Sequence, residues 1–450
     1  MNKNDYAPIG SLCDKLRNYA AVDPALYDKF HVKRGLRKSD GTGVTAGITK
    51  ICNVHGYIIN EGEVEPIPGE LIYRGYNVND LVSNVDKENR FGYEEVAYLL
   101  LFGDLPAADE LKGFRQHISE NRTLPADFAV DMILKAPSKN IMNKMARSVL
   151  ALYSYDDNGE DNSLESEMAK AVGLIAKLPV IMTHAYQVKQ RHYYNKSMII
   201  HPLRAEESTA ETILSLLRID REYTPQEAHL LDTLLMLHAE HGGGNNSTFS
   251  CRVLTSSGTD AYSAYSAAIG SLKGSKHGGA NIKVIQMLED FKKNIKNWSS
   301  KDQVADYIRR TMLRETNDGS GLVYGMGHAV YTLSDPRAVI LKKKAFELAE
   351  GTEFEEEYRL LENIEALTPE VFRELKGDGK AICANVDLYS GLVYRMLNIP
   401  EDLYTPLFAV ARMSGWAAHR MEEIMTGGRI IRPAYKAVAK KREYISIAER

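Results

Sequence analysis

Three histidines of this chain each lie in a glycine-rich setting, and a single aspartate follows them. His241 falls in HAEHGGGNNST, His277 in GSKHGGAN and His328 in GMGHAVYTLSDPR, while Asp387 falls in ICANVDLYSG. Glycine lets the backbone approach a ligand closely and adopt a positive φ, and it fills no core volume. Imidazoles held in such turns, with a carboxylate and arginines nearby, suit proton transfer on a small polyanion.

The histidines differ in the charge that we expect them to carry. His277 precedes a helix predicted over 282–293, and the positive potential of a helix N-terminus disfavours imidazolium. We therefore expect a neutral imidazole that can donate a hydrogen bond to a carbonyl oxygen. His238 and His241 fall in the last turn of a preceding helix, where the dipole favours a cation. Their HxxH spacing lacks the HExxH pattern of a hydrolytic zinc site. A turn or helix-end histidine without further function is the alternative for each.

Asp387 and Arg337 each have two interpretations. Apolar neighbours of Asp387 would raise its pKa and make it a stronger base, but Asp387 or Asn385 could instead cap the helix that follows. Asp335 and the proline after it fit the N-cap and first helical position, which places Arg337 in the first turn of a helix. There it could bind a carboxylate together with the helix N-terminus, or it could be solvated.

Two further arginines lie near the end of the chain. Arg412 falls on an apolar-rich helix predicted over 407–425, and a buried arginine needs an anion. Arg432, in GGRIIRP, would by itself be interpreted as part of a solvated basic segment.

The elements that must position these side chains are mainly helices. Residues 224–241 show the pattern best, with Thr224 as N-cap, Pro225 at the first helical position and Glu227 completing a capping box. Strand signals are confined mainly to residues 44–75, where ITKICNV, YIIN and LIYRGY predict a small antiparallel hairpin region. Residues 156–167 predict an exposed loop. Further helical patterns cover 93–101, 126–134, 144–153, 211–217, 261–272, 282–291, 304–313, 338–348 and 407–425. The predicted fold class is mainly α with a small β element near the N-terminus.

Composition limits the kinds of partner. A net charge of −4 over 450 residues gives no basic field for nucleic acid or an anionic membrane, so local arginines must bind any anionic substrate. The cysteines are far apart and form no CxxC pair, which favours reduced thiols in a cytosolic protein over a disulfide framework or a zinc site. The N-terminus has the features of neither a signal nor a transit peptide, and no stretch approaches the length of a membrane span. We expect a cytoplasmic protein.

The ordered set of motifs resembles the citrate synthase family. HAEHGGGNNST, KHGGAN, GxGHAVxxxxDPR, NVDxxSG and an AR…RP pair follow one another, and the likeness extends back through LIYRGYNVNDL to cover most of residues 40–435. Met326 in GMGH is a departure, because the family more often has tyrosine, phenylalanine or a small residue there. The resemblance implies a helical homodimer whose large domain, residues 1–276 and 393–450, contains an inserted small domain, residues 277–392, with the active site in the cleft between them.

The resemblance also implies a reaction. Acetyl-CoA and oxaloacetate would undergo a Claisen-type condensation followed by thioester hydrolysis to citrate and CoA, in the tricarboxylic acid cycle. The enzyme would be an acyltransferase of the citrate (Si)-synthase type, which converts the acyl group to alkyl on transfer. Asp387 would remove a methyl proton, His277 would donate to the thioester oxygen, and His328 would donate to the ketone and protonate the alkoxide.

Binding residues follow from the same resemblance. The oxaloacetate carboxylates would be held by His241, Arg337, Arg412 and, from the partner subunit, Arg432. CoA would be contacted by Gly325, Met326, Gly327 and Lys380. No metal and no redox cofactor is implied, and acetyl-CoA is a substrate.

Three other functions remain open at the level of sequence. The nearest is 2-methylcitrate synthase, which uses propionyl-CoA, because one methylene changes discrimination by only about 10- to 200-fold. A metal-dependent hydrolase would use His238, His241 and His277. A non-enzymatic helical scaffold would leave Asp387 and the arginines without a purpose.

Overall fold

The computed structural model describes residues 9–38, 42–60, 63–377 and 381–449. Its contacts divide the chain into two compact units, one made of Met1–Ile48 with Ile431–Arg450 and the other of Thr49–Ile430. The first unit contains helices α1 (Ile9–Ala20) and α2 (Ala25–Lys29). The second unit contains the elements described below. The expected subdivision at residues 277 and 392 stays a prediction.

The second unit is mainly helical, which confirms the predicted fold class. Its helices are α3 (Val78–Lys87), α4 (Tyr93–Phe102), α5 (Ala108–Glu120), α6 (Ile141–Leu152), α7 (Leu164–Tyr194), α8 (Thr209–Leu217), α9 (Pro225–His238), α10 (Asn246–Thr255), α11 (Ala261–Leu272), α12 (Ala280–Asn294), α13 (Lys301–Met312), α14 (Pro336–Ala349), α15 (Glu355–Lys376), α16 (Asp387–Met396) and α17 (Tyr404–Met425). A π-helix spans Ala129–Leu134, where the sequence predicted an α-helix from residue 126.

The strands form one small antiparallel sheet, as expected for this part of the chain. They are β1 (Cys52–Asn60), β2 (Glu63–Tyr73) and β3 (Tyr76–Asn77), in that order across the sheet. Gly56 of β1 and Gly69 of β2 both lie against residues 330–334. A Cβ on Gly56 would come within 2.9 Å of the Val330 carbonyl oxygen, and one on Gly69 would overlap the backbone and ring atoms of that segment. Since only glycine permits so close an approach, the hairpin supports the segment that follows His328.

Helix α7 is the longest helix in the described residues, and no helix was predicted there from the sequence. Ser163 caps it, and Pro179 lies inside it. By length and composition it could cross a membrane, contrary to the expectation from the sequence, but 78% of its most apolar 18-residue window is buried inside the protein. A Pro-interrupted helix that is buried on nearly all sides shows no single apolar stripe, which is why its periodicity was not evident.

Helices α9 and α17 position His241 and Arg412. The side chain of Thr224 accepts from the N–H of Glu227, whose carboxylate accepts from the N–H of Thr224, so the predicted capping box of α9 is confirmed. Helix α17 is buried from Tyr404 to Glu422 and contacts α4, α7, α9, α10 and α11. The end of α9 and the middle of α17 therefore meet in the interior.

Candidate active site

The turn after α9 is fixed from the neighbouring strand. Tyr73 at the end of β2 is fully buried, and its hydroxyl donates to carbonyl oxygens of the helix end and turn, at 3.2 Å from that of Met236 and 3.0 Å from that of Glu240. The chain then passes through His241 into three glycines, of which Gly242 has a φ of +85°. The backbone at His241 is thus held by a tyrosine to which the sequence assigned no role.

His238 is a buried neutral histidine, so the expectation of a cation at this helix end is wrong. Only 1% of it is exposed, and neither ring nitrogen has a hydrogen-bond partner among the described residues. Burial, followed by the charges of Arg337 and Arg412, holds its pKa well below the ordinary value.

Arg412 places a buried positive charge beside His238. It is fully buried, and its Nε donates to the backbone oxygen of His238 at 2.7 Å. Its guanidinium carbon lies 4.8 Å from the centre of the Phe408 ring. Neither Nη1 nor Nη2 has a hydrogen-bond partner among the described residues. Since a buried guanidinium requires compensation, these two groups are well placed to bind an anion.

Arg337 is buried too, which rules out the solvated alternative. Asp335 caps α14 as expected and accepts from the backbone N–H of Arg337 at 3.0 Å. The same carboxylate accepts from Nε at 3.0 Å and from Nη2 at 2.7 Å. Burial alone would lower the pKa of Arg337, but the fully buried Asp335 raises it above its ordinary value. Arg337 is therefore a fixed cation that already has a counter-ion.

His328 and His241 face each other with Tyr331 beside them. The His328 Nδ1 accepts from the N–H groups of Val330 at 3.0 Å and Tyr331 at 3.1 Å, so the ring hydrogen lies on Nε2. Its ring stacks on Tyr331 with centroids 4.6 Å apart and meets His241 edge-on at 5.1 Å. Burial, Arg337 and then His328 hold the pKa of His241 well below its ordinary value. Both rings can therefore act as neutral hydrogen-bonding groups.

His277 is held by two residues of the HAEHGGGNNST motif. Its Nε2 lies 3.1 Å from both Asn245 Oδ1 and Ser247 Oγ, and Ser247 Oγ accepts from the indole N–H of Trp416 at 3.1 Å. With its hydrogen on Nε2 the ring donates to these oxygens, and with its hydrogen on Nδ1 it accepts from the serine hydroxyl. Burial first, then Arg412, lowers the pKa of His277 to about 4. The ring is neutral as expected, although the main cause is burial and not the helix terminus.

The Asp387 side chain does not cap α16, because Val386 is the N-cap residue and the backbone N–H of Asp387 is satisfied by Asn385. Asp387 is the first residue of α16, and its backbone N–H donates to Asn385 Oδ1 at 3.0 Å. Burial raises the pKa of Asp387 to about 6, with Arg337 opposing the increase and Asp335 adding to it. The carboxylate is therefore a stronger base than an exposed aspartate, and it is ionised above pH 6.

The glycine-rich segment 325–327 is tied to the chain that leads into Asp387. Its hydrogen bonds run from Gly327 N to Cys383 O (2.7 Å), from Asn385 N to Gly325 O (2.8 Å) and from Asn385 Nδ2 to Gly327 O (2.9 Å). Gly325 has a φ of +83°, and a Cβ there would lie 2.9 Å from the Cα of the residue after Asp387. This segment and the base are consequently one structural unit.

The candidate residues of the second unit form one electrostatic cluster. Arg337 affects the pKa of both Asp387 and His241, and Arg412 affects that of both His241 and His277. Arg432 belongs to the first unit, where its side chain is exposed. Lys380 lies outside the described residues. The supporting residues Tyr73, Asn245, Ser247 and Trp416 were not predicted from the sequence, although Tyr73 falls in LIYRGYNVNDL and both Asn245 and Ser247 fall in HAEHGGGNNST.

A metal centre built on these histidines is not favoured. In the part of the chain that the structure describes, no group of three or more His, Cys, Asp or Glu is arranged to hold a metal ion. Nε2 of His277 faces two oxygen atoms. Both ring nitrogens of His238 are buried and have no hydrogen-bond partner among the described residues. The three-histidine set considered for a hydrolase therefore does not form a ligand cluster.

Comparison with known proteins gives a consistent result. Residues 39–434 match the family model described as "Citrate synthase, C-terminal domain". Citrate synthase of Haloferax volcanii is 33% identical over 398 residues, which cover 86% of this chain and 95% of that protein. 2-Methylcitrate synthase 2 of Corynebacterium glutamicum is 32% identical over 377 residues, which cover 82% of this chain and 89% of that protein. Among solved structures, the chain is similar to citrate synthase from Thermoplasma acidophilum in its ternary complex with carboxymethyl coenzyme A and oxaloacetate. The TM-score is 0.75 at 27% identity, and the match covers 93% of this chain and 99% of that one.

Proposed function

The chain belongs to the citrate synthase family, and we propose that it condenses acetyl-CoA with oxaloacetate and hydrolyses the resulting thioester to citrate and CoA. The observation that carries the proposal is the buried guanidinium of Arg412, whose two Nη groups have no partner in the described residues, next to neutral histidines. Such a site is suited to a small carboxylate substrate that reacts by proton transfer.

Oxaloacetate binding would use the two buried arginines. One carboxylate would bind Arg412 through Nη1 and Nη2, and the other would bind Arg337, whose Nε and Nη2 are already oriented by Asp335. His241 would donate a hydrogen bond to the bound carboxylates. His328, which carries its hydrogen on Nε2, would donate to the ketone oxygen and so make the ketone carbon more electrophilic.

Formation of the nucleophile would depend on Asp387 and His277. A thioester α-proton is far too weakly acidic for a carboxylate acting in water, so the developing enolate charge must be neutralised as it forms. Asp387, with a pKa of about 6, would take the methyl proton. His277 would donate to the thioester oxygen from Nδ1, with the Ser247 hydroxyl turned from Asn245 Oδ1, 2.8 Å away, to the ring Nε2. The enol that results would attack the ketone carbon of oxaloacetate.

Completion of the reaction requires a proton and then water. His328 would protonate the alkoxide that forms at the former ketone, and hydrolysis of citryl-CoA would release citrate and CoA. Residues Gly325, Met326 and Gly327 would contact the acyl-CoA, because their backbone is bonded to the segment that carries the base. Lys380 would add a charge near CoA. Closure of the proposed small domain, residues 277–392, over bound oxaloacetate would exclude water during enol formation.

The alternative is 2-methylcitrate synthase, since a relative with that name is 32% identical to this chain. The decisive experiment is to compare kcat/KM for acetyl-CoA and propionyl-CoA, each with oxaloacetate, in a thiol-release assay. We expect acetyl-CoA to be preferred. A preference of more than about ten-fold for propionyl-CoA would assign the alternative, since discrimination on this order is what one methylene provides.

Assembly, location and stereochemistry complete the proposal. We expect a cytoplasmic homodimer in which Arg432 reaches the neighbouring active site, and an enzyme of the (Si) type. Arg432→Gln should raise the KM for oxaloacetate without dissociating the dimer. Mixing this variant with Asp387→Asn should restore part of the activity if each site takes an arginine from the other subunit, whereas no recovery in mixed dimers would contradict that arrangement.

A further inference from the structure

Glu240 is a fully buried carboxylate that the proposed reaction does not use. Its Oε1 accepts from the N–H of Gly242 at 2.5 Å and lies 3.0 Å from His419 Nε2, while Oε2 has no hydrogen-bond partner among the described residues. Gly415 on α17 lies against Oε2, and a Cβ at that position would overlap it. The packing of α9 and α17 therefore reserves room for this carboxylate directly behind the turn that carries His241.

A chain of hydrogen bonds holds Glu240 in its ionised form. Arg252 on α10 contacts His419 Nδ1 through Nε at 3.0 Å and through Nη2 at 2.7 Å. A guanidinium can only donate, so Nδ1 accepts and the ring hydrogen lies on Nε2, where it is donated to Glu240. Arg252 is itself paired with Glu422 and, at 2.8 Å, with Glu423. Burial alone would raise the pKa of Glu240, but His419 and Arg412 hold it below the ordinary value.

The two substrate-binding arginines differ in how their charge is compensated. Arg337 has a bidentate partner in Asp335, whereas Arg412 has no acid bound to it and two Nη groups without partners among the described residues. Arg412 donates to the backbone oxygen of His238, two residues before Glu240, and Gly415, one turn after Arg412 on α17, lies against Glu240 Oε2. The two charged groups are therefore neighbours without direct contact, and Glu240 is the group that most favours the charged form of Arg412. A buried cation without any anion would cost several kcal/mol. Before substrate binds, Glu240 therefore supplies the negative charge that Arg412 lacks.

We propose that Glu240, held ionised by His419 and Arg252, is the internal counter-ion of Arg412 and sets the affinity of the site for oxaloacetate. The assignment rests on the proposed function, because it names a determinant of that substrate's binding. Glu240 stabilises the empty site. Once a substrate carboxylate binds Arg412, two anions share the neighbourhood of one guanidinium, and their repulsion weakens binding and favours release of a tricarboxylate product. Glu240 is thus a positioned charge and not a catalytic residue.

The test is Glu240→Gln, with oxaloacetate binding measured by calorimetry in the absence of acyl-CoA. Glutamine keeps the shape, and its carbonyl oxygen can still accept from Gly242 and His419. With an effective dielectric of about 20, Coulomb's law makes a unit charge about 12 Å away worth about ten-fold in the affinity of an anion, and a closer charge worth more. We expect the Kd of oxaloacetate to fall about ten-fold, while the empty variant unfolds at a lower temperature than the wild type. A residue with only a structural role would not tighten binding.

Glu167→Gln is the matched control. Glu167 is also fully buried, and it pairs with Arg420, the residue that follows His419 on α17, at 2.6 and 2.7 Å. Loss of its charge should lower stability but leave the Kd of oxaloacetate unchanged. If Glu240→Gln does not fold, His419→Phe provides a second variant. It removes the donor that keeps Glu240 ionised, so it should tighten oxaloacetate binding by a smaller factor.

The outcomes separate this assignment from the proposed function. A wild-type protein that binds no oxaloacetate overturns both. Normal oxaloacetate binding by the wild type, with unchanged or weaker binding by Glu240→Gln and His419→Phe, overturns the counter-ion assignment alone. Tighter binding by Glu167→Gln as well as Glu240→Gln also overturns it, because the effect would then follow from general loosening of the core.

Discussion

Replacement of Asp387 by asparagine should stabilise the protein while it abolishes activity. The pKa of Asp387 is raised from 3.8 to about 6, mainly by burial. Each pKa unit corresponds to about 1.36 kcal/mol, so keeping this side chain ionised in the folded protein costs roughly 3 kcal/mol at neutral pH. Asparagine has nearly the same shape and carries no charge. We therefore expect Asp387→Asn to increase the free energy of unfolding by up to about 3 kcal/mol at pH 8.

The sign of the pH dependence makes this prediction specific. The pKa of Asp387 is higher in the folded protein than in the unfolded chain, so the folded protein binds more protons between pH 3.8 and 6. As the pH rises through this range, ionisation of Asp387 progressively lowers the free energy of unfolding. The advantage of the asparagine variant should therefore shrink to about half at pH 5. Urea unfolding of both proteins at pH 8 and pH 5, without substrates, measures the two differences. The expected loss in kcat is about 10²- to 10⁴-fold, as for removal of a general base.

Three results would refute the reasoning. If Asp387→Asn were no more stable than the wild type at pH 8, the carboxylate would not be strained by burial. If the gain were the same at both pH values, it would come from packing and not from charge. Full activity of the variant would refute the assignment of Asp387 as the base.

Three further predictions follow from the geometry. The kcat/KM of the wild type should rise with unit slope up to about pH 6 and then level off, since Asp387 must be ionised to accept a proton; a pH–rate profile without a break near pH 6 would contradict this. Gly69→Ala should lower stability by about 1–3 kcal/mol and raise the KM for oxaloacetate, because the new methyl group would overlap the carbonyl oxygen of Ser334. Gly113→Ala, in open space on α5, is its control and should stabilise by about 0.5–1 kcal/mol. Ser247→Ala removes a hydroxyl 3.1 Å from His277, the proposed donor to the thioester, so kcat should fall about ten-fold with little change in the calorimetric Kd of oxaloacetate.

Features fixed by neighbouring residues in the chain could be predicted from the sequence. The capping box of α9 and the Asp335 cap of α14 involve partners two or three positions apart, and helix Ala261–Leu272 was predicted to the residue. Local chemistry determines such features. The fold class followed from the same periodicity, and the family resemblance followed from the order of the motifs.

Features that depend on distant contacts could not be predicted. Asp387 and Asn385 were equivalent capping candidates in the sequence, and only the folded chain shows that Val386 is the N-cap residue and that Asn385 accepts from the N–H of Asp387. His238 looked like a helix-end cation, but helix α17 encloses it, so burial outweighs the dipole. The pairing of Glu240 with His419 joins residues 179 positions apart, and no local signal marks it.

The short ladder between residues 325–327 and 383–385 limits how acyl preference can be changed by engineering. Gly327 N–H donates to Cys383, Asn385 N–H donates to Gly325, and the Asn385 side chain donates to Gly327, so the ladder ends two residues before Asp387. A loop taken from a relative with another acyl preference would pair with residues 383–385 in a different register. Residues 325–327 and 383–387 should therefore be exchanged as one block, and an exchange of either segment alone is expected to displace the base.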